Sequence, residues 1–166
     1  PMTGLIMGTR SGDIDPLIIF HLVNELGYSL AEVNSLLQKE SGLLGLTGLS
    51  DLREIEERAA EGDTACELAL DMMTYRIKKY IGAYAAAMNG LDAIVFTGGI
   101  GENSIGVRLK TCAQMNYFGI QLDEQKNEMR SDLLREIQAS SSRVKILVVP
   151  TNEELEIARQ TYALVN

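Results

Sequence analysis

Short apolar runs alternate along this sequence with longer stretches in which apolar residues recur at helical spacing. Four of the short runs predict strands, at 4–7, 92–96, 119–122 and 145–149. Because the strands alternate with helices and are apolar enough to be covered on both faces, the pattern predicts an α/β layered domain rich in helix. No repeat or flexible linker divides the sequence, so a single domain is expected.

Capping residues and glycine stops set the ends of the predicted helices. The sequence predicts helices over 15–26, 29–40, 51–60 and 63–89, a helix that ends near 116, a polar helix over 123–139 and a last helix after 150–154. The glycine-punctuated segment 41–50 predicts an irregular connection. Segment 81–88 carries no charge, which predicts burial in the core or in a subunit interface.

Composition and charge narrow the functional classes. The chain has 166 residues, with 15 basic and 23 acidic side chains and a net charge of −8. That balance argues against binding to nucleic acid and to anionic lipid. No segment is long and apolar enough to predict a membrane span, and no secretion signal opens the chain, so we expect a cytoplasmic protein. The chain starts inside an apolar segment, from which we expect it to be part of something longer.

Cysteine and histidine content argues against a zinc site. The sequence has two cysteines, Cys66 and Cys112, and one histidine, His21. Both cysteines lie in apolar, helical surroundings, which predicts buried, reduced thiols. His21 lies in an apolar run, which predicts a histidine that packs in the core or supports a site residue, and not a catalytic one.

The segment TGGIGENS at 97–104 follows a predicted strand and precedes a predicted helix. Adjacent glycines let a backbone approach a ligand closely, and a helix start offers N–H groups to a phosphate or nucleotide. The motif lacks the last glycine of the dinucleotide fingerprint and the lysine of the P-loop. The structural alternative is a tight turn in which Asn103 or Ser104 caps the next helix.

A second turn, PTNEE at 150–154, follows the last predicted strand. Thr151 and Glu154 have the spacing of a capping box, which explains both residues. Glu153 has no such explanation and could hold Mg²⁺ directly or through water. The alternative is a solvated acid that favours a helix N-terminus.

Two further segments contain charged candidates. Arg10 lies among glycines and small hydroxyls and could reach a phosphate or carboxylate, with Asp13 orienting it. The alternative is a surface salt bridge. Asp51 is explained as a helix N-cap, so the segment Asp51-Leu52-Arg53 is the weakest candidate.

Taken together, these segments resemble the C-terminal half of the acetate kinase family. MGTRSGDIDP, FTGGIGENS and PTNEE are near-literal matches, and ESGLLGLTGLSDLRE and YRIKKYIGAY are also similar. The resemblance covers residues 2–165. It departs from the family at Leu52, where an aromatic residue is frequent, and at Gly98, where many relatives have alanine.

The resemblance implies a ribonuclease H-like (actin-like ATPase) domain with a mixed sheet and abundant helices. Residues 1–166 would form the C-terminal nucleotide-binding domain of an ATP:acetate phosphotransferase. It further implies a role for each of the following residues: Arg10 in catalysis on the phosphoryl group; Asp51, Leu52 and Arg53 around adenosine; Gly99, Ile100, Gly101 and Asn103 around adenine and the phosphates; and Glu153 at Mg²⁺.

The resemblance also implies partners. ATP or ADP would bind this domain, acetate or acetyl phosphate would bind the absent N-terminal half, and two copies would pair as a homodimer through this domain. We expect the chain alone to be inactive as a kinase but to retain weak nucleotide binding. The alternatives are a propionate or butyrate kinase and a non-catalytic nucleotide-binding fragment. The broken fingerprint argues against a nicotinamide dehydrogenase.

Overall fold

The computed structural model describes residues 3–165, and its contacts divide the chain into two units with the boundary between Ala86 and Ala87. The first unit is helical. Its helices are α1 (Leu17–Asn24), α2 (Leu30–Lys39), α3 (Gly42–Thr47), α4 (Leu52–Ala60) and α5 (Thr64–Ala87).

Side-chain caps begin these helices where the sequence predicts. The Leu17 N–H donates to Asp15 at 2.9 Å, and Ser29 forms a reciprocal capping box with Glu32. Asp51 caps α4, and Asp63 accepts hydrogen bonds from the first turn of α5. The predicted starts of these four helices are therefore confirmed to within about two residues.

Three expectations for the first unit are wrong. Residues 4–7 form no strand, because the carbonyl of Met7 accepts a hydrogen bond from the Leu43 N–H at the start of α3 instead. Segment 41–50 is not irregular, since it contains α3, which ends at Gly48 in the left-handed conformation. His21 is exposed and not packed in the core.

The apolar end of α5 is also more exposed than predicted. Ala85 is buried, but Tyr84 and Met88 are 60% and 63% exposed. Burial of the whole segment 81–88 in the core of this chain is therefore wrong. Its burial in a subunit interface stays a prediction.

The second unit combines a small sheet with helices. In chain order it contains β1 (Ala93–Phe96), α6 (Gly98–Asn103), α7 (Ile105–Cys112), a 3₁₀ turn (Asn116–Phe118), α8 (Glu124–Glu128), β2 (Arg135–Glu136), β3 (Lys145–Val148) and α9 (Glu153–Val165). The strand order is β1-β3-β2, with β1 parallel and β2 antiparallel to β3. The sheet is therefore mixed, as predicted.

Two elements of the second unit differ from expectation. Residues 119–122 are not a strand, because Gly119 is left-handed and only Leu122 forms a bridge, with Gln138. The predicted helix 123–139 stops at Glu128, and residues 135–136 pair with β3 instead. Pairing with a buried strand outweighs the helical preference of this polar segment.

Each unit has its own apolar core. The buried side chains of the first unit include Val33, Leu37, Leu43, Ile55, Leu70 and Met73, and those of the second include Ile94, Phe96, Val107, Ile120, Ile146 and Val148. Cys66 and Cys112 are buried thiols outside any disulfide, as predicted, and burial raises the pKa of the Cys66 thiol. In the described range 3–165, no helix meets the length and hydropathy of a membrane span.

Candidate functional site

The carboxyl ends of β1 and β3 meet at one edge of the sheet in the second unit. Phe96 is in register with Val148, and the Val149 N–H donates to the Phe96 carbonyl at 2.9 Å. Because the strands are parallel neighbours, the turns that follow them lie side by side. Ligands of open α/β sheets bind beyond such strand ends.

The segment after β1 is a short helix and not the turn that the sequence predicts. Gly98 starts α6 with a φ of +70°, a conformation that favours glycine. Thr97 occupies the N-cap position without capping, since its hydroxyl donates to the Val149 carbonyl at 2.8 Å. Ser104 caps α7 by accepting from the Val107 N–H at 2.9 Å, as the structural alternative predicts.

A glutamate of α6 joins this helix to the turn after β3. Glu102 Oε1 accepts the Gly98 N–H at 2.9 Å, the Thr151 N–H at 2.9 Å and the Thr151 hydroxyl at 2.8 Å. The hydrogen bonds from Thr151, then that from Gly98, lower the pKa of the Glu102 carboxyl. The predicted capping box at 151–154 is therefore wrong, because Thr151 bonds Glu102 while Asn152 accepts from the Leu155 N–H.

Gly99 and Glu153 line the same open cleft of about 420 Å³, which we call the Gly99 cleft; its walls are Gly99 and residues 151–154. A Cβ on Gly99 would meet no atom within 4 Å, so its backbone is open to a ligand. Ile100 is 45% exposed, and Asn103 Nδ2 donates to the Gly99 carbonyl at 2.9 Å. At Gly101 there is less room, since a Cβ there would lie 3.1 Å from the Phe96 carbonyl carbon.

The acidic side of the cleft could hold a magnesium ion that is also bound by the phosphates of a nucleotide. Glu153 and Glu154 are exposed in the first turn of α9, where the helix dipole stabilises a carboxylate. Among residues 3–165 no three His, Cys, Asp or Glu side chains form a metal-binding group. Mg²⁺ typically takes one or two carboxylates together with water and substrate phosphates, so a single protein carboxylate suits it.

A buried arginine donates hydrogen bonds to the main chain of α6. Arg108 is 1% exposed, and its Nη1 donates to the carbonyls of Gly101 and Glu102 at 2.8 and 2.9 Å. Its Nε and Nη2 donate to the side chain and carbonyl of Asn127. This clamp fixes the C-terminal end of α6 relative to α8.

In the first unit, main-chain hydrogen bonds hold residues 7–12, which we call the Arg10 loop. The Leu43 and Leu44 N–H groups donate to the carbonyls of Met7 and Gly8, and the Ser41 N–H donates to that of Thr9. The Arg10 side chain is exposed, and within residues 3–165 no hydrogen bond or ion pair holds its guanidinium. The loop therefore presents a free cation on a rigid backbone.

Asp13 does not orient Arg10, contrary to the sequence-based expectation. Its Oδ1 accepts the Gly4 N–H at 2.6 Å, and its Oδ2 accepts the Tyr80 hydroxyl at 2.5 Å. Arg76 donates to the Asp13 carbonyl at 3.0 Å. The Tyr80 hydrogen bond, followed by that of Gly4, lowers the pKa of Asp13. Asp13 thus ties the start of the chain to α5.

Asp51 and Arg53 form an exposed bidentate pair. Arg53 Nε and Nη2 donate to Asp51 Oδ1 and Oδ2 at 3.1 and 2.6 Å, and the Arg53 N–H donates to Oδ1 at 2.9 Å. The Arg53 side chain, then its backbone, lowers the pKa of Asp51 to about 2. Leu52 between them is half-buried. The N-cap explanation of Asp51 is confirmed, while its contact with adenosine stays a prediction.

Within the second unit, the structure brings predicted residues Gly99 and Glu153 to one cleft, whereas Arg10 and Asp51–Arg53 belong to the first unit. Sequence reasoning missed Glu102 and Arg108 as supports of the cleft. Glu102 stands inside a recognised motif, but its partner Thr151 is 49 residues away, and no local pattern reveals such a pairing.

Both the sequence and the fold of this chain are similar to those of known proteins. The sequence profile described as the Acetokinase family matches residues 1–159. An acetate kinase of Flavobacterium johnsoniae is 62% identical over 164 residues, which are 99% of this chain and 42% of that protein. The chain thus spans about two fifths of the length of such curated relatives.

Solved structures agree with this match. The acetate kinase of Porphyromonas gingivalis superposes with a TM-score of 0.91 at 47% identity, over 100% of this chain and 42% of that one. A propionate kinase from Francisella tularensis gives 0.88 at 42% identity, over 95% of this chain and 40% of that one. The predicted fold class, a ribonuclease H-like (actin-like ATPase) α/β domain, is confirmed.

Proposed function

The chain belongs to the acetokinase family, and on that premise we propose that it supplies the nucleotide-binding part of a reversible ATP:acetate phosphotransferase. In that reaction a carboxylate oxygen of acetate attacks the γ-phosphorus of ATP. The bond to the β–γ bridging oxygen breaks, ADP leaves and acetyl phosphate forms.

The observation that carries this proposal is the Gly99 cleft. Gly99 offers open backbone on one wall, and Glu153 offers a carboxylate at a helix start on the other. Open glycine backbone suits a phosphate or nucleotide, and a nearby carboxylate suits the cation that accompanies it. Of the residues assigned to the nucleotide, Gly99, Ile100 and Asn103 are exposed in this part of the chain, and Gly101 is half-buried.

Phosphoryl transfer needs little covalent help from the protein, because positioning and charge stabilisation lower most of the barrier. Arg10 would neutralise the oxygens of the transferring group, for which an exposed guanidinium on a hydrogen-bonded loop is suited. Glu153 would hold Mg²⁺, which when bound screens the charge of the phosphates. Asp51, Leu52 and Arg53 would contact adenosine.

Calorimetric titration of the chain with ATP tests the proposal. We expect binding in the presence of Mg²⁺ and weaker binding in a chelator. Glu153→Gln should remove most of that difference, because a neutral amide is a poor Mg²⁺ ligand. Glu156→Gln, an exposed change on the same helix, should leave it unchanged. A wild-type chain that releases no heat with MgATP would contradict the proposal.

Arg10 is tested in a full-length enzyme that carries this sequence. Arg10→Ala should lower kcat by about 10³-fold, the range found for arginines that stabilise transferring phosphoryl groups. Arg58→Ala, which changes an exposed arginine of α4, is the matched control. Unchanged kcat in the Arg10 variant would remove this residue from the mechanism. We expect the 166-residue chain alone to show no turnover.

A related acyl kinase is the second candidate, since a propionate kinase superposes almost as well as an acetate kinase. Relative kcat/KM for acetate, propionate and butyrate on the full-length enzyme would decide between them. Nucleotide binding without turnover there would favour a non-catalytic nucleotide-binding protein instead.

Homodimer formation and a cytoplasmic location remain predictions. The exposed Tyr84 and Met88 near the end of α5 provide apolar surface that a second copy could cover. Sedimentation that stays monomeric at high concentration would contradict the dimer.

A further inference from the structure

The two walls of the Gly99 cleft are joined by one oxygen atom. Glu102 Oε1 accepts the Gly98 N–H from the α6 side and both the N–H and the hydroxyl of Thr151 from the side that leads into α9. Hydrogen bonds to a carboxylate are stronger than those between neutral groups. Gly98 directly precedes Gly99, and Thr151 lies two residues before Glu153, so this oxygen connects the segments that carry the two ligand-facing residues.

The start of α6 has no N-cap that could replace this contact. Thr97 occupies the N-cap position, but its hydroxyl donates to the Val149 carbonyl and makes no cap hydrogen bond. A helix start leaves several N–H groups without a partner inside the helix. The Glu102 carboxylate accepts the Gly98 N–H, so a side chain from within α6 caps the start of the helix.

The backbone of Glu102 is itself anchored. Its carbonyl accepts from Arg108 Nη1 at 2.9 Å and from Arg135 Nη2 at 3.1 Å. Arg108 is buried and also bonds Asn127. The carboxylate is therefore carried on a fixed main chain, which lowers the entropic cost of holding two separate segments at once.

We propose that Glu102 is a positioning residue that sets the separation of Gly99 and Glu153 across the cleft. Glu102 touches no reacting atom; it acts through Gly98 and Thr151. This inference rests on the proposed function, because the cleft matters only when it receives a nucleotide with its cation.

Amide hydrogen exchange of the nucleotide-free chain, measured residue by residue by NMR, tests the contact itself. In Glu102→Ala we expect the Gly98 and Thr151 amides to exchange at least about tenfold faster, because both lose their acceptor. The Val149 amide bonds to the Phe96 carbonyl and should keep its protection. Glu102→Gln, which retains an oxygen in the same place, should restore part of the protection, and Glu124→Ala is the surface control.

Unchanged exchange at Gly98 or Thr151 in the alanine variant would overturn the proposal. Equal loss of protection at Val149 would also overturn it, since Glu102 would then support the whole sheet edge and not the cleft. If Glu102→Ala does not fold, Glu102→Gln decides the question. Wild-type exchange rates at the Gly98 and Thr151 amides of the glutamine variant would then count against a charge-assisted contact.

Calorimetry then connects the contact with nucleotide binding. Glu102→Ala should weaken MgATP binding about tenfold and narrow the difference between MgATP and metal-free ATP, because Gly99 and Glu153 would no longer be held together. Wild-type affinity in this variant would overturn the positioning role. Absence of binding by the wild-type chain would instead contradict the proposed function, and the exchange comparison would still decide the role of Glu102.

Discussion

The Arg10 loop of the first unit is held by main-chain hydrogen bonds, whereas the Gly99 cleft of the second unit is held by side chains. In the first, the N–H groups of residues 41, 43 and 44 donate to successive loop carbonyls. In the second, Glu102 joins two segments and Arg108 supports α6. The two regions therefore respond to different substitutions.

Main-chain attachment requires close approach of backbone to backbone, so it depends on glycine. Gly42 has a φ of +62°, and a Cβ there would lie 2.2 Å from the Met7 carbonyl oxygen and 2.6 Å from that of Arg10. Attachment by side chains depends instead on charge and on hydrogen-bond geometry. The first region should be sensitive to added volume, and the second to lost donors and acceptors.

The largest effect is expected at Gly42. Gly42→Ala should destabilise the chain by about 4 kcal/mol, because the methyl group must displace the Arg10 loop. Gly48→Ala is the matched control: Gly48 is also left-handed, with a φ of +77°, but nothing lies within 4 Å of a Cβ there. The control should cost about 1 kcal/mol. If urea unfolding gave the same loss of stability for both variants, the left-handed backbone, and not the close approach to the Arg10 loop, would account for the effect at Gly42.

The next effect is expected at Arg108. Arg108→Met should cost about 3 kcal/mol, because the Gly101 carbonyl and the two oxygens of Asn127 lose their donor and the Glu102 carbonyl keeps only Arg135. Arg130→Met changes an exposed arginine of the same unit and should stay within about 0.5 kcal/mol. If both variants unfold at the same denaturant concentration, the second region is not held by this side chain.

The smallest effect is expected at the exposed pair Asp51 and Arg53. Arg53→Ala should raise the pKa of Asp51 from about 2 toward its ordinary value of 3.8. Because folding lowers this pKa, the pair adds stability above pH 4 and loses it as the pH falls through about 2. Wild type and variant should therefore differ in Tm near neutral pH and converge near pH 2. NMR titration of the Asp51 carboxyl checks the shift, and an unchanged pKa would contradict it.

Local signals in the sequence were sufficient for much of the fold. The caps at Asp15, Ser29, Asp51 and Asp63 act on residues two or three positions away, so their patterns could be read directly. The strands 93–96 and 145–148 are mostly apolar and were predicted correctly, but only alternate residues are buried, so the predicted cover on both faces is wrong: Val95 is 53% exposed. The conformation of residues 4–7 could not be predicted, because Met7 bonds Leu43, far along the chain. Residues 135–136 pair with β3 nearby, but two charged residues carry no strand pattern.

The difference between local and long-range signals also applies to the candidate site. Gly99 and Glu153 were proposed from their motifs, and the parallel pairing of β1 with β3 accounts for their common cleft. Asp13 was assigned to Arg10 because the two are close in sequence, yet its hydrogen bond goes to Tyr80, 67 residues away. Long-range side-chain contacts leave no periodic trace, which is why Glu102 and Arg108 were missed.

Because β1 pairs with β3, the Gly99 cleft can form only after β3 has been synthesised. Thr97 and Val149 are 52 residues apart, so the wall that contains Gly99 has no partner until residues 145–154 have been synthesised. A nascent chain that stops before Lys145 already contains every residue of the first unit and of α6, but it has no cleft. A ligand of that cleft can therefore stabilise only a chain that already extends past Glu154, by mass action, and cannot assist the folding of earlier segments before that point.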